Sequence, residues 1–327
     1  MRLMAPASSI ESVKALIANG ADDIYIGGIS EAFVYQTFNG RSKINKKGEL
    51  VSPGWNELKE IINIVHSAGG QIHLLANTPF LFGRKKGNMD LLLNEFLKYV
   101  EKGISSGIDM LVLGDVAAIV LVRKYFPDIK ISASSYIETQ NISTIKWLES
   151  MNVKRAILSY QCTLEDIQLI NKDSNIDIEV FGHGGCSFYV GTCNLFHEMG
   201  EQVSIGYPCR AMYEVYGIDS KPIRGRVLDS FKMCSICKLE QLYQYKVKSL
   251  KIVGRDLDYR YISQIIQVYR RALDYVNRGC ELPIEDIIPI WWKKLWCDTG
   301  RFCRYGRREN NGHDISEKSN KGILSNQ

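Results

Sequence analysis

The chain has 327 residues, of which 45% are hydrophobic and 24% charged, and it carries a net charge of +5. That composition can bury a substantial core, while no run of about 18 apolar residues offers a membrane-spanning helix. The charge is too small by itself to mark a nucleic-acid binder. The opening Met1-Arg-Leu-Met-Ala-Pro has no apolar export segment, so a cytoplasmic location is expected.

Short apolar runs alternate with helical patterns from the start. Arg2-Leu3-Met4-Ala5 reads as a strand, and a helix begins at Ser8 or Ser9, with Glu11 in its first turn where a negative charge suits the helix dipole. Asn19-Gly20 stops it, and Asp23 to Gly28 returns as strand. A helix over about 55–66 ends at Gly69-Gly70 and is followed by a strand over 71–76. The rhythm continues with helices near 88–102, 116–124, 140–150 and 163–171 and strands at 110–113, 129–132, 155–158 and 178–181. A last strand over 249–253 precedes a helix at about 259–277.

Eight strands alternating with helices imply parallel βαβ units, and eight such units predict an α/β fold of the (β/α)8 TIM-barrel type. A doubly wound open sheet is the competing architecture. The pattern divides the chain into a barrel over 1–280 with a cysteine-rich region at 183–238 inserted after strand 7, an aromatic and basic extension over 281–306, and a polar tail over 307–327 expected to be disordered. In a barrel, chemistry sits at the carboxyl ends of the strands. That rule selects Asn77, Asp115, Ser134, Tyr160, His183 and Arg255, each just after a strand.

Five of the nine cysteines, Cys186, Cys193, Cys209, Cys234 and Cys237, fall within 52 residues. An odd number of thiols and no export signal argue against disulfides. Several converging thiolates suit an iron–sulfur cluster or zinc. Successive spacings of seven, sixteen and twenty-five residues for the first four place iron–sulfur ahead of zinc, whose structural sites usually use paired short CxxC steps. The competing reading is a set of unrelated buried cysteines.

The opening LMAPASSIESVKALIANGADDIYIGG, the block EVFGHGGCSFYVGTCNL and the segment SLKIVGRDLDYRYISQIIQVYRRALDYV together resemble the collagenase-like peptidase U32 family. The likeness covers about 1–280. It implies oxygen-independent hydroxylation of an aromatic or nucleobase substrate, as in ubiquinone-precursor and RNA-base hydroxylases. It also implies a [4Fe–4S] cluster on Cys186, Cys193, Cys209 and Cys234, with Cys234 preferred over Cys237 because it lies fifteen residues before Ser249. Prephenate is implied as oxygen donor in several members, and a heterodimer with a second family member is a further implied partnership. Val253 stands where the family usually has Glu.

His183, Glu179 and Asp115 are the candidate catalytic groups. His183 could hydrogen-bond a cluster sulfide or bind substrate, and the carboxylates would be costly inside a barrel unless paired or used. Asn77 and Ser134 are candidate substrate contacts, and Arg210 and Arg255 are candidate forks for a carboxylate. A peptidase remains the alternative, yet HExxH and GxSxG are missing, and the pair His183 and Cys186 in a Gly-rich loop is a weak nucleophile signature. A cluster-bearing, non-catalytic partner subunit is the third reading. Trp291, Trp292 and Trp296 could stack nucleic acid, but their spacing favours an amphipathic helix packed on the barrel. Cys162 and Cys280 read as core fillers, and Cys297 with Cys303 as a pair too small to make a site.

Overall fold

The computed structural model describes residues 1–29, 38, 52–78, 89–185, 212–217, 221–225, 233–254, 257–298 and 302–306. Cys186, Cys193, Cys209, Arg210 and Arg255 lie outside the described residues, as does the segment 307–327.

Eight parallel strands close into a barrel in the order β1-β10-β7-β6-β5-β4-β3-β2. They are β1 (Arg2–Pro6), β2 (Asp23–Gly27), β3 (Ile72–Ala76), β4 (Met110–Leu113), β5 (Ile131–Ala133), β6 (Arg155–Ile157), β7 (Asp177–His183) and β10 (Ser249–Ile252). The TIM-barrel expectation therefore holds, and the open sheet is excluded because each of the eight strands pairs with two neighbours, which leaves no edge strand. Most of these strands are buried on both faces, the pattern that parallel strands between a helical shell and a filled interior require.

The helices start where their capping residues stand. Ser9 and Ser12 cap each other reciprocally at the start of α1 (Ile10–Ala18), and Thr163 and Asp166 do so at α6 (Leu164–Asp173). Between them lie α2 (Trp55–Ser67), α3 (Met89–Ser106), α4 (Val116–Tyr125) and α5 (Ile142–Ser150). Beyond the cysteine-rich region, α7 (Leu239–Gln244) leads into β10, and α8 (Tyr259–Asn277) buries an apolar stripe from Ile262 to Val276. A two-stranded antiparallel hairpin, β8 (Tyr213–Val215) and β9 (Ile223–Gly225), falls in the insertion and was not expected.

The barrel interior has two kinds of filling. Met4, Tyr25, Leu75, Val112, Ile157 and Phe181 form an apolar layer. Beneath it, on the same inward face two residues earlier along β3, β6 and β7, lie His73, Arg155 and Glu179. The Glu179 carboxylate accepts from Arg155 Nη1 at 3.3 Å and Lys251 Nζ at 3.4 Å, and all three groups are buried. The Lys251 ammonium also lies 3.8 Å from the centre of the Tyr25 ring.

Among the described residues no helix is long and apolar enough to cross a membrane. Cys162 is buried as expected, with its thiol against Thr139 O. Cys280 departs from the core position expected of it: it is exposed, in the turn just after α8.

Candidate active site at the barrel mouth

The carboxyl end of β7 is where the separate parts of the chain meet. The register between β7 and β10 slips by one residue, so that Ile252 pairs with His183 and Gly182 is passed over. The Gly182 carbonyl is thereby released from the barrel ladder and accepts from the Tyr269 hydroxyl and from Ser235 N. Gly184 N in turn donates to Met233 O at 2.8 Å, which lays Cys234 antiparallel beside His183. A third segment joins this small ladder: Cys234 N donates to Phe302 O at 3.0 Å, and Arg304 N to Cys234 O at 2.8 Å. The segment 302–306 is thus folded back across the mouth.

His183 is sealed. Its ring packs 4.7 Å from Trp292 and 4.6 Å from Trp296, and neither ring nitrogen has a hydrogen-bond partner among the described residues. Burial, with the Arg304 charge as a lesser cause, lowers its pKa to about 3, so the imidazole is neutral. Cys234 is buried beside it, its sulfur 3.8 Å from the Tyr269 hydroxyl, and burial pushes the thiol up to about 12. The Trp292 and Trp296 side chains are spent on this packing, 0% and 7% exposed, which decides for the packed helix over a stacking platform.

The mouth itself is lined differently. Tyr160 and Phe181 stack with centroids 3.8 Å apart, and the Arg304 guanidinium lies against both rings at 5.4 and 5.6 Å. Arg304 Nη2 donates to Gly184 O at 2.6 Å. Gly185 permits this closeness, because a Cβ there would stand 2.7 Å from the Tyr160 ring and 3.0 Å from the guanidinium. Across the mouth Asn77 Nδ2 reaches Ser134 Oγ at 3.5 Å, while Asn77 Oδ1 is buried without a partner among the described residues. An unpartnered buried acceptor at a strand end is an opening for a donor group of a ligand.

Two other sequence candidates sit in supporting positions. Asp115 caps α4, its carboxylate accepting from Ala117 N at 2.7 Å. Glu179 lies four residues before His183 on β7, about 13 Å nearer the closed end of the barrel. The structure brings Asn77 together with Ser134, and His183 together with Cys234. Arg304 was missed by sequence reasoning, because only the return of the segment 302–306 brings it here.

An eight-stranded barrel with a buried thiol, an aromatic pair and unpaired polar groups at its carboxyl end has the layout of an enzyme of the TIM-barrel class. The chain belongs to peptidase family U32, whose model matches residues 8–296. It is 24% identical to the tRNA hydroxylation protein P of Escherichia coli over 85% of this chain and 68% of that protein. It is 25% identical to the 23S rRNA 5-hydroxycytidine C2501 synthase of the same organism, over 84% of this chain and 40% of the synthase. An uncharacterized protease of Methanocaldococcus jannaschii is 25% identical over 96% of this chain and 75% of its own length. The chain therefore spans about two thirds of the tRNA hydroxylation protein and less than half of the synthase.

Proposed function

We propose that this protein is an oxygen-independent hydroxylase whose substrate is a base in RNA, with a [4Fe–4S] cluster on Cys186, Cys193, Cys209 and Cys234. The observation that carries the reading is the half-exposed Tyr160 ring at the barrel mouth, backed by the buried Phe181 and edged by Arg304, beside Cys234. Aromatic rings and a guanidinium plane are what an unstacked base lies against, and the buried Asn77 Oδ1 offers an acceptor for an exocyclic amine. The relatives named for tRNA and rRNA hydroxylation point to the same substrate class.

Cys234 fits a cluster ligand on its own chemistry. It stands at the carboxyl end of β7, in the small ladder that joins His183 to the segment 302–306, and bound iron would stabilise its thiolate there. When bound, a cluster with four thiolate ligands would supply electrons, with no vacant position for direct ligation. The chain's own part is to stack the base, hold its edge at Asn77 and Ser134, and keep water out beneath Arg304. Prephenate is the proposed oxygen donor, its carboxylates meeting Arg210 and Arg255, and a second family member is the proposed partner.

Peptide hydrolysis is less well supported. His183 would have to serve as base to Cys186, and its ring is walled in by Trp292 and Trp296 with its pKa held near 3. The deciding experiment compares RNA nucleosides by mass spectrometry from anoxically grown cells with and without the gene, and after resupply as the Cys234→Ser variant. One base should carry an extra oxygen only with the wild-type gene. Identical nucleosides in all three strains, with gelatin cleavage by the purified protein that iron chelation leaves untouched, would establish the peptidase instead.

A further inference from the structure

Cys237, Cys297 and Cys303 arrive from three separate segments at one cavity of about 720 Å³. Cys237 stands in the short helical turn Ile236–Lys238, Cys297 ends the π-helical turn Lys293–Cys297, and Cys303 lies in the strand-like return that pairs with Cys234. None of the three is in a disulfide. Glu281 and Asp298 line the same cavity, and Lys293 is the one cationic residue among its described lining residues. That ammonium is already held by the Glu285 carboxylate at 2.7 Å.

Cysteines that merely fill a core are buried among apolar groups. Here Cys237 and Cys297 are half-exposed and share their cavity with carboxylates. Soft sulfur donors in an anionic wall select a thiophilic cation. The CxxC step is also divided: Cys234 faces Tyr269 and is not among the cavity's lining residues, whereas Cys237 is.

We propose that this cavity holds a second metal centre, of the polynuclear iron–sulfur class, ligated by Cys237, Cys297 and Cys303. A single tetrahedral zinc would draw its sulfurs to roughly 3.8 Å from one another. Among the described residues no three donors stand close enough to hold one metal ion. A polynuclear cluster lies between its thiolates and keeps them farther apart, and the cavity has room for one. None of these three thiols belongs to the set assigned to the proposed hydroxylase cluster.

The two sites are separated by the variant Cys186→Ser/Cys193→Ser/Cys209→Ser, purified without oxygen as the full chain. Iron, acid-labile sulfide and zinc are measured, with circular dichroism and thermal unfolding to monitor the fold. The variant should keep roughly half of the wild-type iron and sulfide. The converse variant, Cys237→Ala/Cys297→Ala/Cys303→Ala, should lose the other half. A folded first variant with no iron and sulfide, or with zinc alone, overturns the second centre and leaves the first intact. If the first variant does not fold, the converse variant decides: wild-type iron content in it refutes the proposal.

Discussion

Tyr160 and Phe181, from the segment after β6 and from β7 itself, stack at an interplanar angle of 15° with Arg304 against the edges of both rings. Arg304 is nearly equidistant from the two ring centroids, so it stands against the edges of the pair, and a planar substrate would lie on the face of Tyr160 turned away from Phe181. Removing the aromatic surface should therefore act on binding before it acts on chemistry. For Tyr160→Leu we expect KM for RNA to rise about tenfold, since base stacking on an aromatic side chain is worth roughly 1–3 kcal/mol. Iron content and kcat should stay near wild type. An unchanged KM with a collapsed kcat would remove Tyr160 from substrate stacking.

Glu179 is held between Arg155 and Lys251 inside the barrel. Taking away one member of a buried ion network leaves the others uncompensated, at a cost of about 3–5 kcal/mol. Glu179→Gln should thus lower the urea midpoint sharply. Turnover per folded molecule should be retained, because the carboxylate lies well below the mouth. A variant as stable as wild type but inactive would make Glu179 a catalytic group.

Asp115 is the third candidate with a structural duty. Its carboxylate caps α4 through Ala117 N, and loss of such a cap costs about 1 kcal/mol. Asp115→Ala should show that modest loss in thermal unfolding and leave the reaction intact, whereas Asp115→Asn should recover most of the stability. Loss of activity in the asparagine variant would contradict the capping role.

Local signals carried most of the barrel into the sequence. Ser9, Thr163 and the glycines after α1 and α2 punctuate it, and the observed strands fall within about two residues of the expected ones. What could not be read depended on distant returns of the chain. The six-residue α7 is too short to show a period, and the β8–β9 hairpin pairs strands of only three residues each. Arg304 reaches Tyr160 only because 302–306 pairs with Cys234, a contact between segments some seventy residues apart. Cys297 and Cys303 likewise looked like an isolated pair until folding set Cys237 beside the same cavity. Trp292 and Trp296 were legible as packing residues, but not as the walls around His183.

His73 makes the fold sensitive to acid. It is buried on the inward face of β3 with Nε2 unpartnered, and burial lowers its pKa well below 6.5, helped by the charges of Arg155, Lys251 and Arg2. Above pH 6.5 the imidazole is neutral both in the fold and in the unfolded chain, so its burial carries no protonation penalty. As pH falls below 6.5 the unfolded chain takes up a proton that the fold refuses. Stability should then drop by about 1.4 kcal/mol per pH unit from this group, down to its depressed native pKa. Urea unfolding of wild type and His73→Leu between pH 7 and about pH 5 should give curves that diverge in slope by that amount, with the variant the flatter. Parallel curves over the same range would mean that His73 is protonated in the fold, and that a carboxylate or water reaches its ring.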